Sequence, residues 1–420
     1  MFSGHKRARF NSSCSSRRSS RNSRESRLAW AAQQQGTSCS SSSENDALYF
    51  GSYAHVGIHE EMIKDRVRTE TYRAAILHYR STIQGKVVVD VGCGTGILSI
   101  FCALAGAKKV YAVDASDIAV QAAEVVKANN LSDRVIVLHG RVEEVNIEEE
   151  VDVIISEWMG YMLLYESMLS SVIIARDRWL KSGGLILPSH ATLYMAPVTN
   201  AERYDESINF WRNVYGIDMS PMLPLAKQCA FEEPCIEIIT GDNILAGPFI
   251  VKRIDCGTIT SEELETVTAN FNLSSLKTAP LHGFALWFDV AFGEYTTSSD
   301  SHLESSIDSS LSVDLSRNDA HQRKKCPKYS NSLVLSTAPE DAPTHWAQTL
   351  IYLFDPLEVK QDQAINGSIK LTQSKENSRF FNIHLEYKRS VLREGIFHAV
   401  IFSAFICLDT ERALLRICLI

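Results

Sequence analysis

The sequence predicts two folded domains, an open α/β sheet and then a β-rich domain. Between residues 87 and 156, short apolar runs alternate with helical segments, which is typical of a parallel sheet covered by helices on both faces. After Pro188 this alternation ends, and segments such as 383–387 alternate apolar with polar residues, as half-buried antiparallel strands do. A chain of 420 residues is long enough for both domains.

The first domain is expected over residues 47–187. Apolar residues over 58–79 have the spacing of one amphipathic helix. Strands are expected at 87–91, 109–114, 134–139 and 151–156, with helices at 97–105 and 119–128.

The second domain is expected over residues 188–387, with strands at 191–196, 283–292, 349–354 and 382–387. Within it, 201–225 is predicted to be mostly helical. Tyr204, Ile208, Trp211 and Tyr215 follow one another there at helical spacing. Such a stripe belongs to the core if it is buried and marks an interface if it is exposed.

Three segments differ in composition from these domains. Residues 1–46 are rich in Ser and Arg and are predicted to be a disordered basic tail. The tail would have a nuclear localisation role or, alternatively, would be an organelle transit peptide. Residues 295–332 are Ser-rich and predict a long, disordered surface loop. Residues 388–420 form an atypical apolar C-terminal segment that the pattern does not place.

Charge and cysteine usage limit the classes of function. Residues 1–46 carry a charge of +5 and residues 47–420 a charge of −13, which gives the net charge of −8. The acidic part favours basic partners and disfavours direct nucleic-acid binding. Alternatively, its acidity serves only solubility. Ten cysteines without a CxxC pair favour a reduced intracellular protein with no metal site. No apolar run reaches about 18 residues, so no membrane span is expected. Nucleus or cytoplasm is the predicted location.

A glycine-rich turn, Asp90-Val91-Gly92-Cys93-Gly94-Thr95-Gly96, lies between a predicted strand and helix. Glycines there permit a tight turn and close approach of a ligand to the backbone. The G-x-G-x-G spacing differs from the G-x-G-x-x-G of nicotinamide dehydrogenases. Asp114, at the end of the next strand, can accept hydrogen bonds from ribose hydroxyls. The set resembles the cofactor site of Rossmann-like class I methyltransferases, which use S-adenosyl-L-methionine.

The segment 156–168, hereafter the glutamate loop, holds Glu157 and Glu166 among Trp, Met, Leu and Tyr residues. Buried carboxylates are costly unless each has a partner. A guanidinium would supply paired hydrogen bonds to both acids. Alternatively, both glutamates are structural and bind a helix terminus or a nearby arginine.

The glutamate loop, together with Thr344-His345-Trp346, resembles the protein arginine methyltransferase family over residues 49–387, most closely its type I group and the type 6 members. The resemblance implies a Rossmann-like methyltransferase domain followed by a β-barrel-like domain, with 201–225 as a helical dimerisation arm of a homodimer. It also implies S-adenosyl-L-methionine as the cofactor, and basic or Gly/Arg-rich proteins, including histones, as substrates. Residues 388–420 match no ending of that family.

The resemblance assigns roles to individual residues. The catalytic residues would be Glu157, Glu166 and His345. The cofactor-binding residues would be His59, Met62, Arg68, Asp90, Gly92, Gly94, Asp114, Val142 and Glu143. The substrate pocket would be formed by Tyr53, Trp158, Met159, Met168 and Trp346. Within these sets Arg68 pairs with the cofactor's carboxylate, Val142 and Glu143 hold the adenine, and residues 49–53 fold over the cofactor.

These assignments predict a mechanism. The two glutamates would draw the guanidinium charge toward the nitrogens that face them, leaving one terminal nitrogen able to attack the methyl sulfonium. The proton acceptor is either Glu166 or a relay containing His345. Met62 and Met168 match positions associated with asymmetric dimethylation. Two other hypotheses remain, a catalytically impaired scaffold or dimer partner, and a small-molecule methyltransferase that shares only the cofactor domain.

Overall fold

The structure, a computed structural model, describes residues 42–293, 333–389 and 400–404. The predicted loop at 295–332 and most of the predicted tail therefore lie outside the described residues. The first helix, α1 (Ser42–Tyr53), begins inside the range 1–46 that the sequence predicts to be a tail. Among the described residues, no helix is both long and apolar enough to cross a membrane.

The helix expected over 58–79 is two helices. They are α2 (Val56–Lys64) and α3 (Arg66–His78), followed by the short α4 (Arg80–Ile83). Asp65 separates them in an extended conformation (φ −65°, ψ 97°), and its side chain caps α3 by accepting a hydrogen bond from Arg68 N at 3.0 Å. The prediction of one helix was wrong because the periodicity of the apolar residues continues across Asp65 and does not reveal the helix cap there.

The first domain contains a five-stranded parallel sheet in the order β3-β2-β1-β4-β5. Its elements are β1 (Val87–Val91), α5 (Ile97–Leu104), β2 (Lys109–Asp114), α6 (Ile118–Ala128), β3 (Val135–His139), β4 (Val151–Ile155), α7 (Leu169–Trp179) and β5 (Leu180–Leu187). The four predicted strands are confirmed to within one residue at either end. Strand order reverses between β1 and β4, which opens a crevice at their carboxyl ends.

The second domain contains two antiparallel sheets, in the orders β7-β12-β10-β6-β8, with β11 paired to β10, and β15-β14-β13-β9. Its strands are β6 (His190–Val198), β7 (Cys235–Glu237), β8 (Phe249–Asp255), β9 (Thr266–Ser274), β10 (Ala279–Phe292), β11 (Leu333–Ser336), β12 (Gln348–Val359), β13 (Ala364–Gln373), β14 (Phe381–Arg389) and β15 (Val400–Ala404). The four predicted strands lie within β6, β10, β12 and β14. Within residues 388–420, β14 extends to Arg389 and β15 pairs with β14.

The segment 201–225 is helical only in pieces. It contains α8 (Ala201–Ser207), two 3₁₀ turns (Asn209–Arg212 and Ser220–Met222) and the start of α9 (Leu223–Phe231). Further along the described residues are a third 3₁₀ turn (Gly241–Asn243) and the short helix α10 (Glu262–Glu265). Tyr204 and Ile208 are buried, whereas Tyr215 is 99% exposed. The predicted aromatic stripe is thus divided between the core and the surface.

A continuous apolar core extends from the parallel sheet into both antiparallel sheets. The β-rich domain is therefore fixed against the crevice, and its loops can contribute side chains to it.

Candidate active site

The glycine-rich turn leaves β1 with Gly92, Gly94 and Gly96 all at positive φ (72°, 53° and 82°), where side chains are disfavoured. A Cβ at Gly92 would lie 2.4 Å from Met168 Cε, and one at Gly94 would lie 3.1 Å from the His59 ring. Two residues predicted for the site therefore enclose the turn, which leaves space only for backbone.

Two aspartates flank this turn in different surroundings. Asp114, at the end of β2, accepts hydrogen bonds from Gly94 N at 2.8 Å through Oδ2 and from Ser116 through Oδ1. Oδ2 keeps a second lone pair for a ligand hydroxyl. Asp90 is fully buried and accepts from Ser99 Oγ at 2.6 Å, and burial raises its pKa to about 7. The structure thus places Asp114 where a ribose could reach it and Asp90 in the interior.

The glutamate loop folds as a tight hairpin. Residue pairs Gly160–Leu163 and Tyr161–Tyr165 form β-bridges, and Met168 N donates to Trp158 O at 2.9 Å. A Cβ at Gly160 would lie 1.7 Å from Tyr165 O, so only glycine fits there. Because the hairpin returns the chain on itself, Glu157 and Glu166 lie on opposite arms of one turn.

Glu157 is buried and bound by Arg68. Its Oε2 accepts from Arg68 Nε at 3.0 Å and Nη2 at 2.9 Å, and Arg68 Nη1 also contacts Met62 O at 3.3 Å. The sequence predicts that Arg68 pairs with a cofactor carboxylate; the structure pairs it with Glu157. Glu157 Oε1 is buried without a hydrogen-bond partner among the described residues. A second cation could therefore bind to this acceptor.

Glu166 lies on the other arm with φ 59°, a conformation that is uncommon for a residue with a side chain. Its backbone N–H donates to Arg379 O at 2.7 Å. Burial raises the pKa of its carboxyl to about 7, and the nearby Arg379 cation opposes that rise.

The helices α1 and α2 lie beside these acidic groups. Burial raises the pKa of Tyr49 and of Tyr53, and the Glu166 charge adds to both shifts. The Asp114 charge also raises the pKa of Tyr49, and the Glu157 charge also raises the pKa of Tyr53. His59 Nε2 donates to Tyr53 O at 2.8 Å. Tyr49 Oη lies 3.5 Å from Glu166 O, and the His59 ring lies against Gly94, so α1 lies over the carboxyl ends of β1 and β4, at the crevice.

The Thr344-His345-Trp346 segment supports the site from the β-rich domain. His345 contacts Asp65 Oδ2 through its backbone N–H at 2.9 Å and through Nδ1 at 2.7 Å. Burial of Asp65 favours a raised pKa, but the hydrogen bonds from His345 and Arg68 lower it overall. Trp346 is buried and donates from Nε1 to Met159 O at 3.2 Å. Trp346 therefore lies behind the glutamate loop.

The remaining predicted residues differ in exposure. Trp158 and Met159 are buried, and Met159 Sδ accepts from Tyr72 Oη at 3.6 Å. Val142 is buried, whereas Glu143 is exposed and accepts from Ser171 Oγ at 3.2 Å. Trp158, Met159 and Trp346 therefore lie in the core beside the glutamate loop, and their role in a substrate pocket stays a prediction.

Sequence reasoning missed one residue of the site, Arg379, in the turn between β13 and β14. Its guanidinium binds Asp46, which is 333 positions away along the chain. An arginine in a hairpin turn gives no local signal of such a partner.

The arrangement fits S-adenosyl-L-methionine. The glycine turn can accept a ligand at close range, Asp114 can accept from ribose hydroxyls, and buried carboxylates lie nearby for a cationic centre.

Comparisons with known proteins agree with this fit. Residues 189–307 and 319–391 match the arginine methyltransferase oligomerization subdomain, and residues 70–188 match ribosomal protein L11 methyltransferase. The chain is 66% identical over 354 residues to the probable protein arginine N-methyltransferase 6 of Arabidopsis thaliana, covering 84% of this chain and 81% of that protein.

A second relative is protein arginine N-methyltransferase 6 of Danio rerio, which is 43% identical over 86% of this chain and 94% of its own length. Among solved structures, the Trypanosoma brucei PRMT1 enzyme–prozyme heterotetrameric complex with AdoHcy matches with a TM-score of 0.69 and 34% identity, over 84% of this chain and 99% of that chain. These matches extend over both domains, which excludes a small-molecule methyltransferase that shares only the cofactor domain. The chain therefore belongs to the protein arginine N-methyltransferase family, and S-adenosyl-L-methionine is its cofactor.

Proposed function

We propose that this enzyme is of type I, and that it forms monomethylarginine and asymmetric dimethylarginine on basic or Gly/Arg-rich proteins, including histones. The observation that carries the proposal is the buried Glu157 Oε1, which has no hydrogen-bond partner among the described residues, on a hairpin whose other arm holds the half-buried Glu166. Two carboxylates on opposite arms of one hairpin, one of them with an open acceptor, are suited to a planar cation with several donors.

The residues act by orienting and polarising the substrate arginine. Glu157, already fixed by Arg68, offers Oε1 to one side of the guanidinium, and Glu166 accepts from another N–H. Their charges draw positive charge toward the nitrogens they face, so that the remaining terminal nitrogen becomes the nucleophile. When bound, the cofactor supplies the activated methyl group.

A proton must leave the substrate during or after transfer. The raised pKa of Glu166, about 7, makes it suitable as the acceptor at neutral pH. His345 is bound to Asp65 in this structure, so a relay through His345 would begin at that pair.

We assign product type to Met62 and Met168. Met168 lies over Gly92, and Met62 offers its carbonyl to Arg68 beside Glu157, so both border the reacting space. Both match positions associated with asymmetric products.

A mass-spectrometric assay tests the reaction and one catalytic residue together. The full-length chain, Glu166→Gln and the exposed control Glu144→Gln are incubated with S-adenosyl-L-methionine, core histones and a Gly/Arg-rich peptide. Fragmentation is expected to show asymmetric dimethylarginine from the parent and from the control, and none from Glu166→Gln. Calorimetry is expected to show that Glu166→Gln still binds the cofactor.

Other outcomes would overturn parts of the proposal. Symmetric dimethylarginine alone would refute the product type. Near-normal turnover by Glu166→Gln would refute its role. Cofactor binding without any product from the parent would favour the alternative of an impaired scaffold or dimer partner.

We further propose that the chain forms a homodimer through 201–225. The large apolar side chains Phe210, Tyr215, Ile217 and Leu225 are 49%, 99%, 63% and 59% exposed in this segment, and such clustering is typical of an interface.

A nuclear or cytoplasmic location is proposed from the basic N-terminal residues and can be checked by imaging a fluorescent fusion.

A further inference from the structure

Arg379 lies in the turn between β13 and β14 and contacts α1 in two ways. Its Nη2 donates to Asp46 Oδ1 at 3.1 Å, and the side chain is only 17% exposed. Its guanidinium carbon lies 3.9 Å from the centre of the Tyr49 ring and 5.2 Å from that of Phe50. An ion pair and a cation–π contact thus join the β13–β14 hairpin of the β-rich domain to α1, the helix that lies over the crevice.

The same turn also contacts the glutamate loop. Arg379 O accepts from Glu166 N at 2.7 Å, and the Phe380 ring stacks on Tyr165 with centroids 5.3 Å apart and planes 6° from parallel. Tyr49 Oη is 3.5 Å from Glu166 O. The turn, α1 and the second arm of the glutamate loop therefore meet at one point.

Asp46 is shared with another cation. Arg141, which lies just before the Val142–Glu143 pair, also forms an ion pair with Asp46. Burial works to raise the pKa of Asp46, yet Arg379 and Arg141 together lower it overall. The Asp46 carboxylate is therefore held ionised between two arginines, one from each domain.

We propose that Arg379 is a positioning residue that holds α1 closed over the bound cofactor and links this closure to the conformation of Glu166. The Arg379 bridge consists of Arg379, Asp46 and Tyr49. When α1 lifts, Arg379 loses its ion pair and its aromatic contact together, so cofactor release requires the bridge to open. The link to Glu166 rests on the proposed function, whereas retention of the cofactor does not.

Calorimetry and amide hydrogen exchange test the bridge without relying on turnover. Arg379→Ala is expected to weaken binding of S-adenosylhomocysteine about tenfold, the combined size of one partly buried ion pair and one cation–π contact. It is also expected to speed amide exchange within α1. Arg379→Lys keeps the charge but not the planar stack, so an intermediate affinity is expected. Lys375→Ala, an exposed residue of the same turn, is the control and is expected to match the parent.

A double-mutant cycle separates the bridge from general damage. Asp46→Asn removes the partner of both Arg379 and Arg141, so it is expected to weaken binding at least as much as Arg379→Ala. Adding Arg379→Ala to Asp46→Asn is expected to cost clearly less than it costs in the parent, because the ion pair is already gone. Additive losses, or parent-like affinity and α1 exchange in Arg379→Ala, would overturn the proposal. A parent chain that binds cofactor but methylates nothing would refute the proposed function and leave this result unaffected.

Discussion

Glu166 combines a left-handed backbone with a half-buried carboxyl whose pKa is raised, and neither is favourable in isolation. The backbone conformation is held by Arg379 O and by the tight hairpin at Gly160. Between the ordinary value of 4.5 and about 7, folded Glu166 keeps a proton that the unfolded chain has released. Its contribution to the free energy of unfolding therefore decreases as pH rises through that range. A bound cation would compensate for this loss.

This titration predicts the pH dependence of activity. The ionised form of Glu166 binds the guanidinium, so kcat/KM for an arginine peptide is expected to fall as pH is lowered, with an apparent pKa above 4.5 and no higher than about 7. The corresponding decrease in kcat is expected at lower pH than the decrease in kcat/KM, because the bound cation favours the ionised carboxylate. Among the described residues, the Arg379 cation opposes the rise in the pKa of Glu166, and Glu157 lies on the opposite arm of the same hairpin; Tyr49, Tyr53 and Tyr161 are neutral at these pH values.

Asp90 serves as the control in this experiment, since burial raises its pKa to about 7 as well. The limb is expected to persist in Asp90→Asn, whatever the absolute rate of that variant. A profile without a limb between pH 4.5 and 7 in the parent would contradict the assignment to Glu166.

Gly160 predicts a steric effect on the same loop. Alanine at this position would place Cβ 1.7 Å from Tyr165 O, so the hairpin must open, at a cost of about 1–3 kcal/mol or more. Gly160→Ala is expected to lower the thermal midpoint and to abolish methyl transfer. Gly247→Ala, where no atom lies within 4 Å of the new Cβ, is expected to behave as the parent in both measurements.

At the scale of elements, Asp65 has two structural roles. It starts α3 as its N-cap, and it binds His345 from the β-rich domain through its second oxygen. The position of Arg68, three residues into α3, depends on the same cap, and Arg68 in turn fixes Glu157. The break between α2 and α3 therefore determines how the first glutamate is oriented.

Two substitutions separate these roles. Asp65→Ala is expected to lose about 1 kcal/mol from the missing cap, and with it a few degrees in thermal midpoint. Asp65→Asn keeps an oxygen that can accept from Arg68 N, but it presents an amide to His345. We therefore expect this variant to retain most of the parent's stability and little of its activity. Equal activity in Asp65→Asn and the parent would show that the His345 contact is dispensable.

The elements also show how far sequence reasoning extends. Apolar runs predicted four of the parallel strands correctly, because β1 and β4 are buried almost throughout and β2 and β3 are partly buried. β5 was not predicted, since it follows α7 without a loop and contains Gly183 and Gly184. The pattern in 201–225 did not reveal the interruptions at Asn213 and Gly216. Glu157, Glu166 and His345 were predicted from local motifs, whereas Arg379 contacts partners that are distant in sequence.

At the scale of the whole molecule, the exposed apolar side chains in 201–225 form the proposed dimer interface. The double substitution Tyr215→Glu and Ile217→Glu would place two charges on this interface. Light scattering is expected to show about half the mass of the parent for this variant. Leu276→Glu, which changes a residue 64% exposed outside this segment, is the control and is expected to keep the parent mass. An unchanged mass in the double variant would argue against dimerisation through this segment.

The contact between Arg379 O and Glu166 N has a consequence for the order of events during synthesis. Both glutamates, the glycine turn and Arg68 leave the ribosome more than 200 residues before the turn that supports Glu166. A nascent chain that ends before β14 would hold most of the residues for chemistry and lack the support for one of them. The enzyme would therefore become competent only after the turn between β13 and β14 has been synthesised.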